Sequence, residues 1–384
     1  MPFAVYLLGL AVFAQGTSEF MLSGLIPEIA GDLRVSVPTA GLLTSGFAVG
    51  MIVGAPLMAV LSLRWPRRRT LAIFLAAFVV VHVLGALTTS YEVLLATRVA
   101  GALANAGFWA TALATANAMV ASNAKARATS IVVGGVTVAC VAGVPAGAWL
   151  GQQWGWRAAF WAVALISLPP LIAILRTIPA GRPEKANAGV RGELRSLRDV
   201  RLLVILLLGA LVNGATFCAF TYLAPLFTTD TGLGEGWVPL LLALFGVGSF
   251  LGVTIGGRVG DTYPVQLLAI GMVALIVGWS LFAMTAGNAF ATIVLVLIQG
   301  TLAFATGSTL ISRVFYVADQ APTLAGGLAT AAFNVGAAAG PWLGGIAIGT
   351  GSGFRAPLWV SAVLVVVALL VAMVAQGIRK RALR

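Results

Sequence analysis

Apolar runs of about 20 residues recur along the whole chain, and that is the length a helix needs to cross ~30 Å of hydrocarbon. Twelve can be placed, over residues 4–28, 39–63, 70–88, 93–121, 127–150, 158–178, 201–226, 237–258, 265–285, 290–316, 323–350 and 356–377. A membrane β-barrel would instead show alternating strands of about 10 residues. Only 9% of the residues are charged and 60% are hydrophobic, against roughly 25% charged in soluble domains, so the chain cannot cover a water-facing surface. The expected fold class is an all-α integral membrane protein with twelve transmembrane helices. The 46 glycines fit, because small residues let such helices approach closely.

One long polar connection, Pro179 to Val200, divides the chain nearly in half. The expected domains are a six-helix bundle over 1–178, a cytoplasmic linker over 179–200 and a second six-helix bundle over 201–384. The halves also repeat. A shift of 198 residues lays Phe47 on Phe245, Gly50 on Gly248, Gly54 on Gly252 and Pro66 on Pro264, and it lays Gly155 on Gly353, Arg157 on Arg355 and Trp161 on Trp359. Two like halves of six spans each form a parallel repeat, from which a transport pathway can be built by rocking. Lys and Arg divide 19 against 3 between the two sets of loops, with Arg98 left inside a span, which accounts for all 23. By the positive-inside rule this predicts a multi-pass protein with both termini cytoplasmic.

The net charge of +12 therefore follows topology and implies a lipid bilayer and no nucleic acid as partner, with a monomer as the working unit expected. Glu19 lies inside the first apolar run, where an acid is tolerated only facing a bundle interior or a wet cavity. Arg98 lies six residues past Glu92, roughly 9 Å along a helix. It could snorkel to an interface or act inside the bundle. Gln15, Asn105, Trp109, Asn117, Asn213, Phe217, Tyr222, Gln299 and Asn334 also interrupt apolar runs. As a set, their amides and aromatic faces suit a neutral, aromatic, hydroxyl-bearing ligand, while each alone is more often interhelical glue. His82 is expected as a packing or cavity residue, and Cys140 and Cys218 as buried small side chains. The chain carries no nucleotide-binding glycine loop, metal-ligand spacing or nucleophile–base arrangement, so neither an enzyme nor a cofactor or metal is expected.

The stretch Thr17-Ser18-Glu19-Phe20-Met21-Leu22-Ser23-Gly24-Leu25-Ile26-Pro27-Glu28-Ile29-Ala30 and the stretch Gly151-Gln152-Gln153-Trp154-Gly155-Trp156-Arg157-Ala158-Ala159-Phe160-Trp161 resemble the major facilitator superfamily. The likeness is to its twelve-spanner drug:proton antiporters, and within them to bacterial chloramphenicol efflux proteins. Arg64-Trp65-Pro66-Arg67-Arg68-Arg69 resembles the basic end of the superfamily's cytoplasmic-loop motif, although Leu63 stands where an aspartate is usual. The repeat puts Asp261 at the matching place in the second half, after Gly256-Gly257-Arg258. The resemblance thus implies gate loops at Arg64, Arg67, Arg68, Arg258 and Asp261, with the second-half set the more complete. A lipid-facing topology anchor is the plainer reading of the first basic cluster. The run Arg98 to Gly107 resembles the antiporters' motif with a membrane-embedded arginine. Gly143, Pro145 and Gly147, with Gly340 and Pro341 in the second half, resemble the signature whose Gly and Pro bend helices between the halves.

What the resemblance implies is a proton-coupled antiporter that exports chloramphenicol or similar small neutral drugs, with Glu19 and Arg98 coupling the proton. Two other readings stay open on sequence: proton-coupled efflux of sugars or other metabolites by a related carrier, and a membrane receptor or assembly protein with no transport cycle.

Overall fold

The structure is a computed structural model and describes residues 2–62, 65–121, 125–178, 199–260, 262–317 and 322–382. The first half holds α1 (Phe3–Phe20), α2 (Leu22–Asp32), α3 (Val37–Ser62), α4 (Arg67–Leu87), α5 (Tyr91–Ala118), α6 (Lys125–Val138), α7 (Val144–Trp154) and α8 (Trp156–Thr177). The second half holds α9 (Val200–Thr221), α10 (Trp237–Val259), α11 (Pro264–Thr285), α12 (Ala289–Val317), α13 (Pro322–Ala347) and α14 (Ala356–Ala382). Three π-helical turns, Ala139–Gly143, Leu226–Asp230 and Ile348–Ser352, follow α6, a single turn at Leu223–Pro225, and α13. Among the described residues, twelve helices are long and apolar enough to cross a membrane, one for each run read from the sequence. Large apolar side chains such as Ile270, Val277, Phe290 and Val374 stay exposed on them, as a lipid solvent permits.

The first run departs from the expected single helix, because it breaks at Met21 between α1 and α2. The cause lies in who satisfies the carbonyls that a helix end leaves free. Met21 N–H caps Thr17 O, the Ser23 hydroxyl donates to Phe20 O, and Gly24 N–H tightens onto Met21 O. The Ser18 carbonyl takes a donor from another helix, the guanidinium of Arg98. Pro27, which has no N–H, then leaves α2 short of one internal bond.

The chain divides into two compact units, Met1–Ala186 with Glu235–Ala243, and Asn187–Gly234 with Leu244–Arg384. Each unit repeats the other's internal joints at the same offset. In the first, a Cβ on Gly50 would meet Val99 O and one on Gly54 would meet Leu103; in the second, Gly248 faces Leu297 O and Gly252 faces Thr301 O. Both seams therefore bring backbone to within van der Waals contact of backbone, which only glycine allows.

The Gly-x-Arg repeat is also structural. Gly155 (φ 80°) and Gly353 (φ 68°) both hold a left-handed backbone that glycine adopts without strain. Each turn delivers the arginine two residues on to an aspartate at the end of the unit's first span. Arg157 Nη1 lies 2.5 Å from Asp32 Oδ2, and Arg355 Nε lies 2.8 Å from Asp230 Oδ1. Asp32 and Asp230 are themselves 198 apart. The Arg157 hydrogen bond, with a second from Trp156 Nε1, holds the Asp32 carboxyl below its ordinary value, while Arg157 Nη2 donates to Thr88 O.

Candidate functional site

Inside the first unit, α1, α3, α4 and α5 meet around Arg98, which is 2% exposed. A buried guanidinium needs its donors satisfied and its charge faced. Nη1 donates to Ser18 Oγ at 2.8 Å, Nη2 donates to Ser18 O at 2.9 Å, and the guanidinium carbon stands 4.5 Å from the centre of the Phe47 ring. Nε finds no hydrogen-bond partner. Ser18 is itself buried and lies 2.6 Å from His82 Nε2, while His82 Nδ1 lies 2.7 Å from Phe78 O. The ring is wedged between Phe78, at 4.1 Å, and Phe160, at 5.8 Å.

Glu19, next to Ser18, is only half-buried. It lies within electrostatic reach of Arg98, yet the ion pairs closer than 4.0 Å among the described residues are Arg157–Asp32 and Arg355–Asp230. The guanidinium is anchored by the neighbour of the acid, not by the acid. A carboxyl so placed can be neutral or charged without breaking a contact.

The other residues singled out in the sequence fall into distinct environments. Gln15, one turn before Ser18 and Glu19 on α1, is fully buried with neither amide atom paired. Asn105, two turns beyond Arg98 on α5, reaches Met51 Sδ through Nδ2, and its Oδ1 is unpaired among the described residues. Trp109 packs half-buried on the first unit's core, and the Asn117 side chain lies outside the described residues. In the second unit, Asn213 Nδ2 donates to Phe333 O, the Tyr222 hydroxyl to Pro341 O, and Gln299 Nε2 to Leu275 O, each tying two helices together. Asn334 Nδ2 turns back to Thr330 O on its own helix. Phe217 stands edge-on to Phe220, whose ring continues through Phe245 to Phe304.

Of the loop residues, Arg67 and Arg68 open α4 half-buried, and Arg258 is exposed in the last turn of α10, where the helix dipole favours a cation. Arg64 and Asp261 lie outside the described residues. Gly143 ends the π-helical turn with its Cα against the Thr17 hydroxyl of α1, Pro145 is the second residue of α7, and Gly147 faces Met21. Gly340 meets the backbone of Gly214 and Cys218 on α9, and Pro341 supplies the carbonyl that Tyr222 uses. Ser18 was not singled out in the sequence, and His82 was expected as a packing or cavity residue. The available signal was that His82 is the chain's one histidine, set in an apolar run.

The model of the Major Facilitator Superfamily matches residues 8–249. The chain belongs to the major facilitator superfamily. It is 55% identical over 375 residues to a Streptomyces lividans protein named "Chloramphenicol resistance protein", covering 97% of this chain and 96% of that one. It is 34% identical over 351 residues to "Inner membrane transport protein YdhP" of Escherichia coli K12, covering 90% and 89%. Among solved structures, the occupied, inward-facing form of a bacterial homolog of the human lysosomal transporter Spinster superposes with a TM-score of 0.80 at 17% identity, over 97% of this chain and 96% of that one. That likeness bears on the fold alone. The major facilitator protein described here is a multi-pass membrane transporter, not an enzyme.

Proposed function

We propose that the protein is a proton-driven antiporter that exports chloramphenicol or similarly small, neutral drugs across a bacterial cell membrane and so confers resistance. The observation that carries the reading is Glu19, half-buried and without an ion-pair partner, beside the buried cation Arg98. A neutral carboxyl is cheap to keep in an apolar span and a charged one is not. Glu19 takes a proton on one side of the cycle, and drug entry makes its release favourable on the other. The nature of the drug is supported by the relative that is 55% identical.

In this reading Gln15, Asn105, Trp109 and Phe217 are the residues through which drug is recognised. The first two have unused hydrogen-bonding atoms, and the last two offer aromatic faces. Asn213, Tyr222 and Asn334 act as braces, because their amide nitrogens or hydroxyl are committed to backbone carbonyls, while Gln299 braces through Nε2 and keeps Oε1 unpaired for a ligand. The carrier works as a monomer with both termini cytoplasmic, and Arg67, Arg68 and Arg258 lie on the cytoplasmic side with Arg64 and Asp261.

The test is uptake of radiolabelled chloramphenicol into inverted vesicles under an imposed proton gradient, with other drugs and sugars as competitors. Uptake should collapse with a protonophore, compete with related drugs and not with sugars, and lose its proton dependence in Glu19→Gln. Full proton-dependent uptake by Glu19→Gln would remove the acid from the mechanism, and competition by sugars alone would move the substrate class.

A further inference from the structure

The hydrogen-bond directions around His82 are forced by their end points. The Phe78 carbonyl can only accept, so Nδ1 carries a hydrogen. Arg98 Nη1 can only donate, so the Ser18 oxygen accepts from it and the Ser18 O–H is free to point at His82 Nε2, which accepts. The chain runs one way, from Arg98 to Ser18 to His82 to Phe78 O. It requires the neutral, Nδ1–H form of the ring. A protonated ring would turn a second donor onto the hydroxyl that already accepts from Arg98, and would set two cations against one serine.

From this geometry we infer that His82 is a positioning residue for the proton-coupling pair: through the Ser18 hydroxyl it holds the Arg98 guanidinium at its distance from Glu19. The inference rests on the reading that Glu19 and Arg98 couple the proton. Ser18 presents two acceptors to Arg98, its hydroxyl and its carbonyl, and His82 fixes the rotamer of the first. Without His82 the hydroxyl can turn away, and the guanidinium keeps one anchor, the carbonyl.

The groups facing the ring from every packed element are few. Ser18 comes from α1, Arg98 and the Gly101 backbone from α5, and Phe160 from α8; Phe78 is on its own helix. Glu19 is the described acid within electrostatic reach of a released Arg98, and Arg98 Nε has no competing partner. Approach of the cation would favour the charged carboxylate.

The experiment is the pH profile of proton-driven chloramphenicol uptake in inverted vesicles for wild type, His82→Leu, His82→Gln, Ser18→Ala and the His82→Leu/Ser18→Ala pair, with Glu19→Gln alongside. His82→Leu should move the midpoint toward acid by about one pH unit, the scale on which a neighbouring charge acts on a carboxyl, with KM for drug unchanged. His82→Gln, which keeps an acceptor toward Ser18, should restore most of the shift. Ser18→Ala should reproduce it, and the double variant should show no more than either alone, because the two act in series. The inference is overturned if His82→Leu lowers only thermal stability with an unmoved profile, if Gln fails to rescue, or if the two shifts add. Failure of the underlying reading looks different: Glu19→Gln would retain full proton dependence while the His82 and Ser18 variants still shifted together.

Discussion

Gly134 and Gly135 are adjacent on α6 and indistinguishable in the sequence, yet the structure gives them opposite surroundings. A Cβ on Gly134 meets nothing within 4 Å. A Cβ on Gly135 would stand 2.5 Å from Gly9 O and 2.9 Å from Phe13 N, backbone atoms of α1. Ordinary contact begins near 3.4 Å, so α1 and α6 must part by roughly 0.9 Å at that point to admit a methyl group. Overpacking of this kind costs about 1–3 kcal/mol. Alanine also gains about 1 kcal/mol over glycine in a helix interior, and that gain is common to both positions. The difference between Gly135→Ala and Gly134→Ala therefore isolates the steric term, about 1–3 kcal/mol.

At roughly 2–4 °C per kcal/mol for a unit of this size, Gly135→Ala should unfold some 2–12 °C below Gly134→Ala, which should match or exceed wild type. Thermal unfolding of the purified, detergent-solubilised variants, read by loss of the monodisperse peak at a fixed heating rate, checks this. Equal transitions for the two variants, or a lower one for Gly134→Ala, would mean that α6 does not present Gly135 to α1, and the packing described for the first unit would be wrong.

The ion pair Asp32–Arg157 leads to a pH prediction. Because the folded state holds the Asp32 carboxyl below its ordinary value, its stabilisation is complete above about pH 4 and is lost as pH falls through the lowered value. Both side chains keep substantial exposure, so Arg157→Ala should cost only about 1 kcal/mol. That cost should be the same at pH 7 and pH 5 and shrink below pH 4; a cost already fading between 7 and 5, measured by thermal unfolding, would contradict the assignment. Separately, Tyr222→Phe removes the buried donor to Pro341 O and should destabilise by about 1 kcal/mol in the same assay. Its proton-dependence profile should overlay wild type, since the hydroxyl is a brace between α9 and α13.

The spans were legible because twenty consecutive apolar residues leave a chain few other options, and each run has its helix. The repeat was legible where it used rare residues: Gly155 with Arg157, and Gly353 with Arg355. Their acids were not, because Asp32 and Asp230 lie 125 residues from the arginines they meet, and one shared aspartate among 384 residues is weak without its partner. The break at Met21 escaped notice for a similar reason. Gly24 and Pro27 hinted at it, but the decisive group is a guanidinium 80 residues away. Ser18 illustrates the limit most plainly: a serine in an apolar helix usually bonds its own backbone, and only the fold shows that this one bridges His82 and Arg98.

The repeat also argues for where the proton chemistry resides. Adding 198 to Ser18, Glu19, His82 and Arg98 gives Thr216, Phe217, Ser280 and Val296. The joints that hold a bundle together survive the shift, namely the glycine seams, the Gly-x-Arg turns and the Asp–Arg pairs. The ionisable set does not. In the second unit the place of the acid is taken by a phenylalanine within a run of four rings, and the place of the buried arginine by a valine. A duplicated scaffold that keeps its mechanical contacts and loses its charges in one copy has divided its labour. In the proposed antiporter the acid–arginine pair therefore belongs to the first unit, and the second adds an aromatic face, Phe217, to the drug-recognising residues of the first. Installing a carboxylate at Phe217 should accordingly impair drug handling without creating a second proton site, since no arginine or histidine stands at the equivalent positions to frame it and Thr216 and Ser280 supply only hydroxyls. A Phe217→Glu variant with two-proton stoichiometry in vesicle flux measurements would overturn that division.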